Sequence, residues 1–190
     1  ERFRDLPGVL CLDPRVRIVV DEGRSFVRRS ADRYDVLQLS MVDTWAATAS
    51  GAFALSENTL YTAEAFVDYM RHLKTEGIVT SSRWWGPETA RLTAVAIEGL
   101  RRSGVRDADL RTHLYVARRA YPAKNEDFGT LIVKKTPLTD ADLARLDDAA
   151  SRYGFEIILS PRDPGRHGFD RLTEPAPDRS APGFPFRGRD

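Results

Sequence analysis

Cysteine is nearly absent from this sequence of 190 residues, which contains only Cys11. A single cysteine excludes an internal disulfide framework and a zinc site built from several cysteines, and it favours a reducing compartment. Long apolar runs are also absent, since no stretch approaches the roughly 18 to 20 residues that span a bilayer, and the first ten residues lack a signal-peptide pattern. We therefore expect a cytoplasmic chain with no membrane segment of its own.

An excess of one charge sign is lacking too. The formal net charge is +1, because 29 basic residues are balanced by 28 acidic ones, so we expect no nucleic-acid partner. The three histidines, His72, His113 and His167, share no metal-ligand spacing, and there is no Walker loop, zinc signature or Gly-x-Ser-x-Gly motif. We expect no bound metal and no prosthetic group.

The apolar content, 42% of the residues, is sufficient for one core. We expect one α/β domain over residues 1–160. Residues 161–190 are dense in Pro, Gly, Arg and Asp, with Phe169, Phe184 and Phe186 as their few apolar anchors. This composition predicts a loosely held tail.

Several short apolar runs predict the strands of this domain. They are "RVRIVV" (residues 15–20), "YDVLQLS" (34–40), "GIVTSS" (77–82), "HLYVAR" (113–118), "GTLIVKK" (129–135) and "FEIILS" (155–160). Helix-like segments alternate with them up to about residue 135, which favours a mostly parallel sheet with helices on both faces.

The helices are predicted from their first residues. Thr62 is an N-cap candidate before "AEAFVDYMRHL", and Pro87 occupies the first turn of a long amphipathic segment. Thr139 is the expected cap of the next helix, with Leu138 and Leu143 at hydrophobic-staple positions. A short helix is predicted in "RSFVRRSADR", residues 24–33.

The strand "YDVLQLS" leads into a carboxylate, Asp43, followed by the small-residue stretch "AATASGAFALS". Parallel sheets bind ligands outside the carboxyl ends of their strands, so Asp43 is a candidate site residue. The alternative is that Asp43 forms a local Asx turn or caps the start of the loop.

Four segments occur in a specific order: strand and "DEG", strand and Asp43, "LYTAEAF", and "LKTEGIVT". In this order the chain resembles the spermidine synthase family of polyamine aminopropyltransferases, and within it the bacterial spermidine-synthase-like domains that are often fused to membrane segments. The resemblance runs from about Asp13 to Trp84. It implies the Rossmann-like sheet of S-adenosylmethionine-dependent methyltransferases.

The activity implied is aminopropyl transfer from decarboxylated S-adenosylmethionine, as co-substrate, to a small-molecule amine. Two alternatives remain open. One is methyl transfer from S-adenosylmethionine itself, and the other is a non-catalytic, degenerate nucleotide-binding module of a membrane protein. The resemblance is compatible with a homodimer and with a parent protein tethered to the inner membrane.

The resemblance also implies a nucleotide-binding turn. In the family the strand that matches "RVRIVV" ends in a Gly-Asp pair whose acid contacts the adenine. Here the pair is Asp21 and Glu22, followed by Gly23, so the acid falls on Glu22. A carboxylate can accept a hydrogen bond from the adenine amino group. The alternative is that these residues only solvate a turn.

The family's next strand ends with two aspartates three positions apart, and this sequence has Ser40 and Asp43 there. An amine with a pKa of about 10 is mostly protonated at neutral pH, so a carboxylate is needed to orient it and to take its proton. By resemblance Asp43 is the general base. Ser40 lacks the charge of the first aspartate, which weakens the attraction for a polycation.

The stretch "ENTLYTAEAF" matches the segment that follows the family's substrate loop. The resemblance implies that Tyr61 lines the substrate pocket and that Glu57 helps to hold the amine. The alternative is that both anchor a loop, with the Tyr61 ring in the core. Trp84 and Trp85, at the end of the third predicted strand, either wall the pocket or only fill buried space.

Two features of such folds have no counterpart in the sequence: the Gly-rich turn after the first strand and the acid that holds the ribose. By the resemblance the sheet lacks its first two strands, which leaves a gap of about 14 Å between residues 15–20 and 34–40. We therefore expect this chain to be part of a longer parent. The parent is the expected enzyme, and the chain alone is expected to be inactive.

Overall fold

The computed structural model describes residues 13–41, 59–121 and 126–174. In these ranges five strands form one sheet in the order β1-β2-β4-β3-β5. The strands are β1 Tyr34–Gln38, β2 Leu73–Trp84, β3 Leu114–Tyr121, β4 Glu126–Lys134 and β5 Glu156–Leu159.

The sheet is mixed in direction. β1 and β2 run parallel, whereas the pairs β2 with β4, β3 with β4, and β3 with β5 are antiparallel. The prediction of a mostly parallel sheet is therefore wrong. The physical reason is the short link between β3 and β4, because a parallel pair needs a crossover of a dozen or more residues.

The helices begin where the sequence predicts. Thr62 Oγ1 accepts a hydrogen bond from the backbone nitrogen of Ala65 at 3.1 Å, Thr139 and Asp142 form a capping box, and Pro87 opens its helix. The helices are α1 Gly23–Arg29, α2 Ala63–His72, α3 Pro87–Arg102 and α4 Asp140–Tyr153, with 3-10 turns at Asp107–His113 and Asp170–Thr173.

Helices cover both faces of the sheet, and the side chains of β3 show how the two layers divide. Leu114 and Val116 face the main core, which α1, α2 and α3 cover. Tyr115 and Ala117 face a smaller cluster beneath α4. This alternation follows from the two-residue period of a strand. The α/β class and the helices on both faces are confirmed.

Residues 15–20 are not a strand. Ile18 is 64% exposed and Val20 is 99% exposed, although β-branched residues favour extended structure. A strand persists only when its backbone groups pair with a neighbour, and no strand of the described sheet pairs with these residues. The run therefore has the composition of a strand without a sheet to join.

β2 is longer than predicted and begins at Leu73, directly after α2, rather than at Gly77. Leu73 is at once the C-cap of α2 and the first residue of β2. A Cβ at Gly77 would lie 2.8 Å from the carbonyl oxygen of Tyr34. Glycine at this position therefore permits the close approach of β1 to β2.

The described part of the chain after residue 160, residues 161–174, contacts the main core. Phe169 is 2% exposed and belongs to the main core, and Leu172 packs against it, so residues 161–174 contact the core at these two positions, and the loosely held tail stays a prediction. Phe184 and Phe186 lie outside the described residues, and the domain division at residue 160 stays a prediction. Within the described ranges, every helix is too short or too polar to cross a bilayer.

Candidate functional site

The carboxyl ends of β1 and β2 lie at the same edge of the sheet, because the two strands are parallel. Beyond β1 the backbone stays beside β2: Leu39 donates to the carbonyl oxygen of Thr80 at 2.9 Å, and Met41 donates to that of Ser82 at 3.1 Å. The Ser81 hydroxyl closes the same junction with a 2.6 Å hydrogen bond to the Leu39 carbonyl oxygen.

Ser40 lies in this junction, between the two backbone hydrogen bonds. Its hydroxyl oxygen accepts a 3.3 Å hydrogen bond from the side-chain amide of Gln38. The following residue, Met41, has a φ of 51°, so the chain turns sharply just after Ser40. The structure thus places Ser40 at the predicted edge.

Glu22 is the N-cap of α1. Its carboxylate accepts hydrogen bonds from the backbone nitrogens of Arg24 at 3.0 Å and Ser25 at 2.8 Å, and from the Thr59 hydroxyl at 3.4 Å. The hydrogen bond from the Ser25 side chain, followed by those from the two backbone nitrogens, lowers the pKa of Glu22. The side chain is therefore an anion at neutral pH, and its roughly four acceptor positions are all used within the protein, by two backbone nitrogens and two hydroxyls.

The neighbours of Glu22 also have local roles. Asp21 pairs with Arg29 at the other end of α1, and its second carboxylate oxygen accepts from the Glu22 nitrogen at 2.8 Å. A Cβ at Gly23 would lie 3.4 Å from Leu60 Cδ2, which is ordinary van der Waals contact. These contacts match the interpretation of the three residues as a helix start, and their nucleotide-binding role stays a prediction.

Tyr61 lies next to a cation. The guanidinium carbon of Arg83, near the end of β2, is 4.8 Å from the centroid of the Tyr61 ring, a favourable cation–π distance. Arg83 also forms a 3.0 Å ion pair with Glu88 in the first turn of α3. Tyr61 therefore belongs to this edge of the sheet, as the sequence predicts.

Sequence reasoning missed Arg83 and Glu88. A signal for Arg83 was present, because a charged residue directly follows the apolar strand "GIVTSS", just as Asp43 follows the strand before it. Glu88 gives a weaker signal, since an acid in a first helical turn is common without any ligand.

Two predicted site residues fall outside the description. Asp43, the expected general base, and Glu57, the expected amine ligand, lie in the range 42–58, which the structure does not describe. Their roles stay predictions.

The two tryptophans make contacts within the protein. The Trp84 ring stacks on Phe128 with a centroid distance of 4.7 Å, and the Trp85 ring stacks on Phe169 at 5.5 Å. The guanidinium of Arg118 lies 5.3 Å from the centroid of the Trp85 ring. These contacts favour the interpretation that both residues fill space between elements.

The edge thus combines an ionised carboxylate at Glu22, a hydroxyl at Ser40, a phenol at Tyr61 and the Arg83–Glu88 ion pair. They come from the start of α1, the end of β1, the segment before α2, the end of β2 and the start of α3. The contact between Glu22 and Thr59 connects the α1 side to the segment that carries Tyr61. Such an arrangement can orient a polar ligand that carries a positive charge and hydrogen-bond donors.

No family model and no curated protein matches the chain, but solved structures do. A probable spermidine synthase from Corynebacterium glutamicum ATCC 13032 superposes with a TM-score of 0.53 at 14% identity, covering 85% of this chain and 52% of its own. The spermidine synthase from Thermotoga maritima gives 0.45 at 19% identity, covering 73% and 42%.

This chain covers 52% of the C. glutamicum protein, which is about half of its length. At 14% identity the likeness shows the fold alone. It confirms the fold class predicted from sequence, a methyltransferase-type α/β sheet of the kind found in spermidine synthases. In the described part of the chain no strand pairs with β1 on the side away from β2.

Proposed function

We propose that this chain is part of a longer protein that transfers an aminopropyl group from decarboxylated S-adenosylmethionine to an amine. The observation that carries the proposal is the junction at which β1 and β2 end. Ser40 and Tyr61 share that edge with the Glu22 carboxylate, on a sheet whose fold resembles that of spermidine synthases.

Asp43 is the proposed general base, two positions beyond Met41 in the sequence. An amine substrate with a pKa of about 10 arrives protonated, and a carboxylate can orient the ammonium before accepting its proton. The amine nitrogen then attacks the propyl carbon next to the sulfonium and forms a C–N bond. The C–S bond breaks with its electron pair going to sulfur, which becomes a neutral thioether.

Glu22 is the proposed contact for the adenine of the donor. The adenine amino group would take the acceptor position that the Thr59 hydroxyl occupies, because that hydrogen bond, at 3.4 Å, is longer than those from the two backbone nitrogens. Because the backbone nitrogens of Arg24 and Ser25 and the Ser25 side chain hold the other positions, the carboxylate is fixed in orientation before any ligand binds. Such preorganisation lowers the entropy cost of binding.

Methyl transfer from S-adenosylmethionine is the second candidate, and Arg83 favours it. S-adenosylmethionine retains a carboxylate that the decarboxylated donor lacks. A guanidinium at this edge, together with the uncharged Ser40, makes the site less favourable for a polycation and more favourable for an anionic group. The two candidate reactions therefore differ in whether the site must accept the carboxylate of the donor.

The need for a longer protein is supported by the open side of β1. Val36 in β1 is 51% exposed and Val20 is 99% exposed. Bare strand edges and exposed β-branched residues are unfavourable unless another element covers them. Additional strands beside β1 would cover both and would supply the nucleotide turn that this sequence lacks.

The test uses the full-length parent protein with 1,4-diaminobutane as amine, and either decarboxylated S-adenosylmethionine or S-adenosylmethionine as donor. Mass spectrometry identifies an aminopropyl or a methyl product. We expect the aminopropyl product, and Asp43→Asn should lower its turnover by about a hundredfold or more. Asp35→Asn is the matched control, because Asp35 lies on β1 and pairs only with Lys74 on the surface.

If the only product is a methylated amine, aminopropyl transfer is wrong and methyl transfer from S-adenosylmethionine is the function. If neither donor is consumed, the transferase proposal is wrong and the non-catalytic module remains. If Asp43→Asn turns over as fast as the parent, Asp43 is not the general base.

A further inference from the structure

A cavity of about 360 Å³ lies at the opposite edge of the sheet from the candidate site. It is formed where α2 and α3 end and where the chain leaves β4. Its lining residues are Val67, Met70, Arg71, Leu100, Arg102, Ser103, Val105 and Lys135. The volume is near the lower end of the range of small-molecule sites, about 300 to 1,000 Å³.

The floor of the cavity is apolar. Met70 is 5% exposed and Leu100 is 1% exposed, and both belong to the main core. Val105 packs against the same core. An apolar group that enters the cavity would therefore be removed from water, which is favourable. It would contact a surface that the packing of α2 against α3 holds in place.

The rim is basic. Arg71, Arg102 and Lys135 line it, and none of the eight lining residues is acidic. Arg102 is already neutralised, because it pairs with Glu64 and with Glu98. The other two cations are less compensated.

Lys135 donates one hydrogen bond to a neutral group, the Leu73 carbonyl oxygen, at 2.7 Å. An ammonium has three donors, so two remain for a ligand. The neighbouring cations Arg102 and Lys134 form ion pairs with Glu64 and Glu76, whereas in the described part of the chain no ion pair includes Lys135 or Arg71. Two cations thus border an apolar cavity, and no carboxylate of residues 13–41, 59–121 or 126–174 forms an ion pair with either.

We propose that this cavity binds a small organic anion: a carboxylate headgroup held by Arg71 and Lys135, with an apolar tail over Met70 and Leu100. The carboxylate accepts charge-assisted hydrogen bonds from both cations. The apolar tail is stabilised because its surface is buried against Met70 and Leu100. Neither gain depends on the proposed transferase activity or on the candidate site.

Basic residues near helix ends have a competing explanation. Arg71 and Arg102 lie in the last turns of α2 and α3, where a positive charge offsets the partial negative charge of the terminal carbonyls. If that is their only role, an apolar anion gains nothing specific at this cavity. The experiment below separates the two explanations.

The probe is octanoate, added to the 190-residue chain labelled with ¹³C at the methionine methyl groups. The chain has two methionines. Met70 forms part of the cavity floor, whereas Met41 lies at the opposite edge of the sheet, so it is an internal reference. We expect a saturable shift of the Met70 methyl signal with a submillimolar Kd and no shift of the Met41 signal.

Arg71→Gln and Lys135→Gln should each weaken octanoate binding about tenfold, the loss of one charge-assisted hydrogen bond. Arg152→Gln, which removes a charge from the exposed face of α4, should leave it unchanged. Octanol, with the same tail and no charge, and acetate, with the charge and no tail, should both bind much more weakly. Arg71 is exposed, so its replacement should not disturb folding.

The proposal is overturned if octanoate leaves the Met70 signal unshifted, or if it shifts Met41 and Met70 alike. It is also overturned if Arg71→Gln and Lys135→Gln bind octanoate as tightly as the unmodified chain, because the cations would then only serve the helix ends.

Discussion

The guanidinium of Arg83 lies 4.8 Å from the centre of the Tyr61 ring and is paired with Glu88 at 3.0 Å. This contact brings a positive charge to the edge at which β1 and β2 end. A site for a polyamine would be expected to carry negative charge there. The charge of Arg83 is therefore the feature that best separates the two candidate reactions.

Replacing Arg83 by Gln in the full-length parent should change the two reactions in opposite directions. For aminopropyl transfer, removal of a positive charge should lower the KM for the amine about fivefold, which corresponds to about 1 kcal/mol for charges near 4 Å in water. For methyl transfer the same change should raise the KM for S-adenosylmethionine by a similar factor. Steady-state kinetics with each donor measures both, with Arg152→Gln as the control. An unchanged KM in both assays would mean that Arg83 contacts no substrate.

The 190-residue chain by itself should bind decarboxylated S-adenosylmethionine weakly or not at all. The Gly-rich turn and the ribose-binding acid have no counterpart in its sequence, and residues 15–20 have no strand beside them in the described sheet. Isothermal titration calorimetry should show no binding at micromolar ligand. A micromolar Kd would refute the view that the donor site needs more chain.

Asp142 should stabilise the fold in a pH-dependent way. Its hydrogen bond with the Lys134 ammonium, at 2.6 Å, and the hydrogen bonds from Thr139 lower its pKa from 3.8 to about 2. Because the folded-state pKa is the lower one, the stabilisation is fully present above about pH 4 and is lost as the pH falls through about 2. It amounts to about 1–2 kcal/mol.

Urea unfolding at pH 7 and at pH 3 measures this effect. Asp142→Asn should lower the free energy of unfolding at pH 7, and the difference from the unmodified chain should shrink at pH 3. Asp148→Asn, at an exposed position of the same helix paired only with Arg152, should change the free energy by less than about 0.5 kcal/mol. An equal difference at both pH values would contradict the role of ionised Asp142.

Gly99 should be required for the packing of α2 against α3. A Cβ at this position would lie 2.4 Å from Phe66 Cβ, and both atoms belong to the rigid parts of their side chains. Gly99→Ala should therefore destabilise the fold by about 1–3 kcal/mol, despite the better helix propensity of alanine. Thermal or urea unfolding checks this, with Arg91→Ala, at an exposed position of the same helix, as the control. A neutral or stabilising Gly99→Ala would show that the two helices can separate freely.

The helix starts were predictable because their signals are local. Thr62 and Thr139 bind backbone nitrogens within three residues of their own position, so the sequence window contains both partners. Pro87 likewise acts at its own position. Caps of this kind do not depend on the rest of the fold.

The absence of a strand at residues 15–20 could not be predicted in this way. The β-branched composition of the run, including Ile18 and Val20, is a local signal, but a strand also needs a partner whose presence is a property of the whole sheet. The direction of β4 and the partner of Phe169, which the sequence singled out only as an apolar anchor, were missed for the same reason. Phe169 is separated by more than 80 residues from Trp85, on which it stacks, so composition alone gave no sign of the contact.

The candidate site was predictable in part. Ser40 and Tyr61 lie near the edge at which β1 and β2 end, as expected for parallel strands, and their substrate-binding roles stay predictions. Glu22 was singled out through a family resemblance, and the structure adds the hydrogen bonds from Arg24 and Ser25 that the sequence did not reveal. Arg83 was overlooked, although it directly follows the apolar run "GIVTSS" and lies near the end of β2.

Leu73 ends α2 and starts β2 with no loop between them. A helix that runs straight into a strand has no spare residue to absorb a change of direction. The last turn of α2 therefore cannot unwind without releasing the first ladder bonds of β2. In native-state hydrogen exchange, the backbone amides on either side of Leu73 should open together with one common free energy, as a single cooperative unit.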